Sequence, residues 1–274
     1  MPKSQPRVGE SRTDYQDSPA YRAKKQFFDS LLTVYGRKPV LEALQSPGTR
    51  LYRLHLAESN KPAGILDQIQ AIAERQGAEV LRHSRKALSR LSKNSKQDQG
   101  VAADLRCASY QSFEAFMTGW TQVPPRILAL DRITNPQNLG MIIRSACAGA
   151  IDAILLPRKG GAQIDSLVIK ASAGSLFRAP LVRCDDLPQA LAQLRAAGAD
   201  ICALCSHARD RLGEHRAQGS CVYVLGNETE GVSDAVASQC NRTLSIPMNK
   251  GVESLNVAIT AALIAFQPLL QERR

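Results

Sequence analysis

From Arg126 onward the chain repeats one unit: a short apolar run, a polar loop, then a stretch with helical periodicity. Ile127–Leu130, Ala153–Leu156, Ile201–Leu204 and Val222–Leu225 are apolar throughout, and Thr243–Ile246 closes the series. Runs of this kind do not alternate polar with apolar, so such strands are buried on both faces. Between them, Leu139, Ile142, Ile143 and Ala146 mark a helix over Asn138–Ala148. A second helix falls on Ile164–Ser172, a third on Leu187, Ala190, Leu191 and Leu194, and a short one near Val232–Gln239. Strands joined by helical crossovers predict an α/β fold, a mostly parallel sheet with helices on both faces. No G-x-G-x-x-G and no G-x-x-x-x-G-K-[ST] is present. An ordinary dinucleotide fold and a P-loop are therefore unsupported.

The last helix is the most regular. Leu255, Ala258, Ile259, Ala262, Leu263 and Phe266 recur at helical spacing and predict one apolar face. Ser254 and Asn256 stand at its start, where backbone N–H groups lack helical partners. Taken alone, they are helix caps.

Before Arg126 the pattern is smaller in scale. Residues 1–30 mix Ser, Gln, Pro, Arg, Lys and Asp without period and read as a flexible basic arm. Residues 31–107 read as a small α/β domain. Its helices are one opened by Gly36 and Pro39 and running through Leu44, one over 62–76 marked by Ile65, Ile69 and Ile72, and one over Arg85–Leu91. Its strands are Leu51–Ala57, Glu79–Leu81 and Gly100–Leu105. Residues 108–125, with Gly119, Trp120, Pro124 and Pro125, read as a linker to a second domain over 126–274, with Trp120 packed at the junction.

The formal net charge is +10, which favours a polyanionic partner, nucleic acid first, over charge that serves solubility alone. Arg85, Lys86, Arg90, Lys93 and Lys96 lie in a segment free of acidic residues and read as an RNA-contacting surface rather than a solvated face. No apolar run approaches the ~18 residues of a membrane span, and no apolar signal core opens the chain, so no membrane partner and a cytoplasmic location are expected. The seven cysteines show no repeated disulfide spacing. Cys202-Ala-Leu-Cys205, with His207 and His215 downstream, lacks a second ligand pair. In a strand its two thiols face opposite ways, so inert buried thiols and no metal are expected.

Three polar loops carry the functional signal. The first is Asp131–Gly140 with Arg144 beyond it, the second Leu225–Gly231, and the third Ile246–Asn256. Loops at the carboxyl ends of parallel strands converge on one crevice. Singly, each reads as caps and turns. Together, Asn138-x5-Arg144, Gly226-Asn-Glu228-x-x-Gly231 and Ile246-Pro-Met-x5-Ser254-Leu-Asn256 resemble the three signature motifs of the SpoU (TrmH-type) RNA ribose 2′-O-methyltransferases of the SPOUT class. The match covers roughly Ile127–Phe266. The region from Val34 to Leu44 and the run Gln99–Ala102 resemble the small substrate-binding domain of the 23S rRNA guanosine branch, though Asp98 stands where that branch usually has His.

The resemblance implies a SPOUT domain whose last strand, loop and helix form a trefoil knot, and a homodimer with the site near the interface. It implies S-adenosylmethionine held near Leu225, Gly226, Ile246, Met248, Leu255 and Asn256. It assigns Asn138, Arg144, Glu228, Ser254 and Asn256 to catalysis, with Arg144 also on RNA. Guanosine of large-subunit rRNA is the leading substrate, with tRNA ribose and an idle RNA-binding assembly factor as the alternatives.

Overall fold

The structure is a computed structural model that describes residues 30–271 except 62, 63, 93, 108 and 121–124, and before them Ser18, Tyr21, Lys24, Phe27 and Phe28. Two sheets organise it. The smaller takes β1 (Leu31–Tyr35), α1 (Arg37–Gln45), β2 (Thr49–Ala57), α2 (Ile65–Arg75), β3 (Glu79–His83), α3 (Arg85–Ser92) and β4 (Val101–Cys107). Its strand order is β1-β4-β2-β3, with β4 antiparallel to both neighbours and β2 parallel to β3. One face buries Val34, Leu54, Leu56 and Ala103 against Val40, Ala43, Leu66 and Ile69 of α1 and α2. On the other face Leu88 of α3 seats on Tyr35, Ala57 and Ala102. The rest of that face is polar. His55, 4% exposed, lies 3.0 Å from both His83 and Asp104, and Thr33 donates to Asp104 at 2.7 Å.

The expected basic arm falls largely outside the described residues. At its end Phe27 packs edge-on against Tyr52, ring centroids 5.0 Å apart, and the Arg106 guanidinium lies over both rings.

The larger sheet takes β5 (Tyr110–Ser112), α4 (Phe113–Thr118), β6 (Arg126–Leu130), α5 (Pro136–Ala148), β7 (Ala153–Pro157), α6 (Ser166–Ala171), β8 (Leu181–Cys184), α7 (Leu187–Ala196), β9 (Asp200–Leu204), β10 (Asp210–Arg211), β11 (Cys221–Leu225), α8 (Asp234–Ala237), β12 (Arg242–Ser245) and α9 (Val257–Gln271). Its order is β10-β12-β9-β11-β6-β7-β8-β5, and every pair of neighbours is parallel. Alternate strand residues serve opposite layers. Ile127, Ala129, Val222 and Val224 face α4, α7 and α8, while Leu128, Leu130, Tyr223 and Leu225 face α5, α6 and α9. The both-faced burial inferred from sequence is the observed arrangement.

Three expectations change. The stretch 108–125 is not simply a connection, because it contains β5, which pairs with β8 at the sheet edge, and α4. A three-residue edge strand is too short to declare a period. Trp120 packs against Phe116 in the α4 layer rather than between two domains, ring centroids 5.8 Å apart. The strand β8 also escapes sequence reading, since Arg183 interrupts its apolar run yet is buried.

The third change concerns α9. Its buried face is Val257, Ala258, Ala261, Ile264 and Ala265, not the stripe of larger residues. Of that stripe, Ile259 is 52% and Leu263 42% exposed. The helix is apolar nearly all round, so periodicity alone cannot choose a face. Close packing chooses the small residues. A Cβ on Gly149, at the end of α5, would come within 2.6 Å of Ala265, and Ala150 N–H donates to the Ala265 carbonyl at 2.7 Å.

Among the described residues no helix is long and apolar enough to cross a membrane.

Candidate active site

The strand order reverses at β6. Chain progress runs β6-β7-β8 to one side, while β9, β11 and β12 lie on the other, with β11 inserted between β6 and β9. Ligands bind parallel sheets at such a reversal, outside the carboxyl ends of the strands. All three polar loops leave those ends.

The first loop is set by Asn135, whose side chain caps α5 by accepting from Gln137 N–H at 2.9 Å and Asn138 N–H at 3.3 Å. Pro136 opens the helix, where its missing N–H has no helical acceptor. Gly140 lets α5 close onto α6, since a Cβ there would lie 2.5 Å from the Ala171 Cβ. Asn138 is thereby turned inward and buried.

The second loop is pinned by Asn227. Its side chain donates to the Arg132 carbonyl at 3.0 Å and accepts from Thr229 and Glu230 N–H, a local turn closed by backbone bonds between Asn227 and Gly231. Gly226 has no room for a side chain, because a Cβ would overlap the backbone of Gly231 and Val232. Arg132 pairs with Glu230, and Asp131 accepts from Ser233 N–H at 2.7 Å. These contacts fasten the second loop to the first.

The third loop joins them through its last residue. Asn256 caps α9, accepting from Ala258 N–H at 2.8 Å. It donates from Nδ2 to Asn138 Oδ1 at 3.1 Å, and Asn138 Nδ2 donates to Glu228 Oε1 at 2.6 Å. A single directed chain of hydrogen bonds, from α9 through α5 to the second loop, therefore ties the three motifs. The last bond is charge-assisted, the stronger kind.

Beside this chain opens a cleft of about 1200 Å³. Leu225, Gly226, Glu228, Ile246, Met248, Ser254 and Leu255 line it, whereas Asn256 does not and stands behind the wall in the hydrogen-bond chain. The backbone N–H groups of Ile246, Met248 and Leu255 find no acceptor among the described residues. Apolar side chains beside free backbone donors suit an adenosine, with one flat apolar surface and several acceptors. Sequence reading missed another wall, Cys205–Arg209 with Arg211, which follows β9. Its position after a parallel strand was the available signal.

Arg144 stands apart. The helix runs unbroken through both motif residues, so six positions separate Asn138 and Arg144 by roughly 120° around the axis. Arg144 is exposed and makes no hydrogen bond or ion pair among the described residues. Arg85, Lys86, Arg90 and Lys96 are exposed on and just beyond α3, and Lys93 lies outside the described residues.

Cys202 is buried as expected, but Cys205 is exposed, because the strand ends at Leu204 and leaves it in the following loop. Cys202 nonetheless has company. Its sulfur lies 3.6 Å from that of Cys221 on the neighbouring strand, and Cys221 lies 3.7 Å from His215 Nε2. A hydrogen bond from Cys202, with His215 close by, lowers the pKa of Cys221, while that same bond and burial raise Cys202. No sequence spacing signals this cluster.

A cleft at the reversal point of a parallel sheet is where α/β folds bind their ligands. Residues 125–266 match the SpoU rRNA Methylase family, and residues 33–111 match RNA 2′-O ribose methyltransferase substrate binding. An uncharacterized tRNA/rRNA methyltransferase of Mycolicibacterium smegmatis is 32% identical over 249 residues, covering 89% of this chain and 78% of that one. A counterpart in Mycobacterium leprae is 31% identical over 261 residues, covering 94% and 82%. The SpoU methyltransferase AviRb of Streptomyces viridochromogenes, solved with AdoMet, shares the fold at TM-score 0.60 and 23% identity, over 93% of this chain and 94% of that one. A putative TrmH-family RNA methyltransferase of Porphyromonas gingivalis gives 0.58 and 26%, over 90% and 91%. The chain belongs to the SpoU family of RNA methyltransferases.

Proposed function

We propose that the chain methylates a ribose 2′-hydroxyl in structured RNA, with a guanosine of 23S rRNA as the target. The observation that carries the reading is the hydrogen-bond chain Asn256–Asn138–Glu228, which fixes all three motifs beside one cleft. S-adenosylmethionine supplies an electrophilic methyl when bound. Leu225, Gly226, Ile246, Met248 and Leu255 would hold it, and Ser254 would shape the loop beside it.

A ribose hydroxyl is a weak nucleophile and needs alignment and a proton acceptor. Arg144 stays protonated to pH above ~12 and is a poor base. It is assigned here as a clamp on an RNA phosphate that also stabilises the developing alkoxide. Its exposure and lack of partners leave it free for that role. Asn138 and Glu228 position the loops rather than take the proton.

Residues 31–107 serve as the RNA-binding unit, with Arg85, Lys86, Arg90 and Lys96 on phosphates, and residues 126–274 as the catalytic unit. The substrate-binding match over 33–111 and the exposed cations support this. A homodimer through α9 is supported by Ile259 and Leu263, which stand exposed on a helix that also packs α5, the carrier of Arg144. Dimer formation is then the route by which Arg144 comes near a cleft. A trefoil knot over β12, the third loop and α9 is supported by the family match over residues 125–266.

The test is methyl-labelled S-adenosylmethionine with total rRNA and tRNA from cells lacking the gene, beside Arg144→Ala. Label in large-subunit rRNA, lost in the variant, is expected. Label confined to tRNA would overturn the substrate, and label retained in the variant would overturn the role of Arg144.

A further inference from the structure

The face of the large sheet under α9 holds a polar group of residues that methyl transfer does not use. Cys202 from β9, Cys221 and Tyr223 from β11, and His215 from the loop after β10 converge between the sheet and the last helix. Cys221 is the first residue of β11 and Gly226 follows its last, so the group lies toward the opposite end of that strand from the second loop.

From this geometry we propose that Cys202, Cys221 and His215 form a binding site for a thiolate-preferring divalent cation, zinc foremost. Each residue offers one ligand atom, and the three atoms lie within 4.8 Å of one another. The two resolved edges have the lengths a tetrahedral centre requires. With Zn–S about 2.3 Å and Zn–N about 2.05 Å, tetrahedral angles give ~3.8 Å between sulfurs and ~3.6 Å from sulfur to nitrogen. The observed separations are 3.6 and 3.7 Å. The ligand set, two soft sulfurs and an imidazole, selects zinc over magnesium or calcium.

A second observation points the same way. The Tyr223 hydroxyl is fully buried and meets no acceptor other than the Cys221 thiol beside it. An orphaned buried hydroxyl is costly, and a neutral thiol is a poor acceptor for it. Metal binding releases the thiol protons to solvent and leaves thiolates. A thiolate at Cys221 would give the Tyr223 hydroxyl a far stronger acceptor. The imidazole is already positioned, because Gln267 of α9 holds the His215 carbonyl at 3.2 Å. Protein atoms supply three corners, and water at half-buried His215 would complete the fourth.

The bound ion would staple the loop 206–220 to two central strands. That loop forms one wall of the cofactor cleft through Ser206–Arg209 and Arg211. The proposal does not depend on the RNA target or on the reaction.

The test uses the full chain, stripped with chelator under reducing conditions and titrated with cobalt(II) alone. One cobalt per chain is expected, with the visible bands of a tetrahedral thiolate site. Cys202→Ser, Cys221→Ser and His215→Ala should bind more than ~100-fold more weakly, beyond the effect of losing an outer partner. Cys240→Ser should bind as wild type. Because the ligand variants could misfold, each is checked by circular dichroism, and the wild type is melted with and without zinc. Zinc should raise the wild-type melting temperature and leave that of a folded Cys202→Ser unchanged. The proposal fails if folded, reduced wild type gives no thiolate-to-cobalt absorption at stoichiometric metal. It also fails if a folded Cys202→Ser binds equally well, or if the two sulfurs prove to be a disulfide in freshly isolated protein.

Discussion

Asn138→Asp isolates the bond that joins the first and second loops. The substitution keeps the shape of the side chain and its acceptor for Asn256, 3.1 Å away, but removes the donor that Glu228 accepts from at 2.6 Å. A hydrogen bond to a charged group contributes about 1.5–3 kcal/mol. Two carboxylates ~4 Å apart add about 1 kcal/mol of repulsion in a water-like dielectric. That is the appropriate limit, because Glu228 is exposed and can swing into solvent. The same mobility holds the net effect near ~2 kcal/mol. The loops would then be ordered only on binding, so affinity for S-adenosylmethionine should fall about 30-fold. Titration calorimetry on the free protein reads this directly. The double variant Asn138→Asp/Glu228→Gln reverses the bond, with Gln donating to Asp, and should return to within ~3-fold of wild type. Wild-type affinity in the folded single variant, or no recovery in the folded double variant, would refute a coupling role for the bond.

Gly226→Ala should abolish cofactor binding, by ~100-fold or more in the same calorimetry, since overlap with the backbone of Gly231 and Val232 forces the second loop out of place. Ile259→Asp with Leu263→Asp should yield monomers in analytical ultracentrifugation and lose methyl transfer while keeping the fold, because both side chains are already solvent-exposed. Replacing Arg85, Lys86, Arg90 and Lys96 by Ala should weaken RNA binding most at low salt and flatten the slope of log affinity against log salt by about 3, at ~0.7–0.9 per phosphate contact. Asp104 is raised by burial but lowered further by bonds from His55 and Thr33, so its pKa is depressed overall. Its stabilising contribution is present above the unfolded value of 3.8 and lost as pH falls below it. Asp104→Asn should therefore flatten the acid limb of a stability profile measured by denaturant titration.

What the sequence discloses depends on how local its cause is. Four strands of the large sheet are legible because each is apolar throughout, the mark of burial on both faces. Asn256 announces a helix cap through its own chemistry, whereas the helix expected from Asn138 begins at Pro136 under a cap by Asn135 that sequence reading misses. The convergence of the three polar loops follows from the topology of parallel sheets. The failures are of another kind. The buried face of α9 depends on Gly149, more than one hundred residues upstream, which admits Ala265 and rejects a larger side chain. The separation of Arg144 from Asn138, by contrast, is legible, since six positions on one unbroken helix set them about 120° apart. Cys202 and Cys221 become neighbours only when β11 enters beside β9, and C-x-x-C draws attention to the wrong partner.

The insertion of β11 between β6 and β9 also governs how the molecule can come to exist. A strand that enters between two earlier ones cannot be added by growth at an edge. The contacts that hold the cleft join residues 90 and 118 positions apart, so most of the chain must be gathered before any of them rewards the loss of freedom. Native structure then has no short route in and no short route out. Both refolding and spontaneous opening should be slow, and the cleft should outlast brief exposure to conditions under which the folded state is no longer the most stable one.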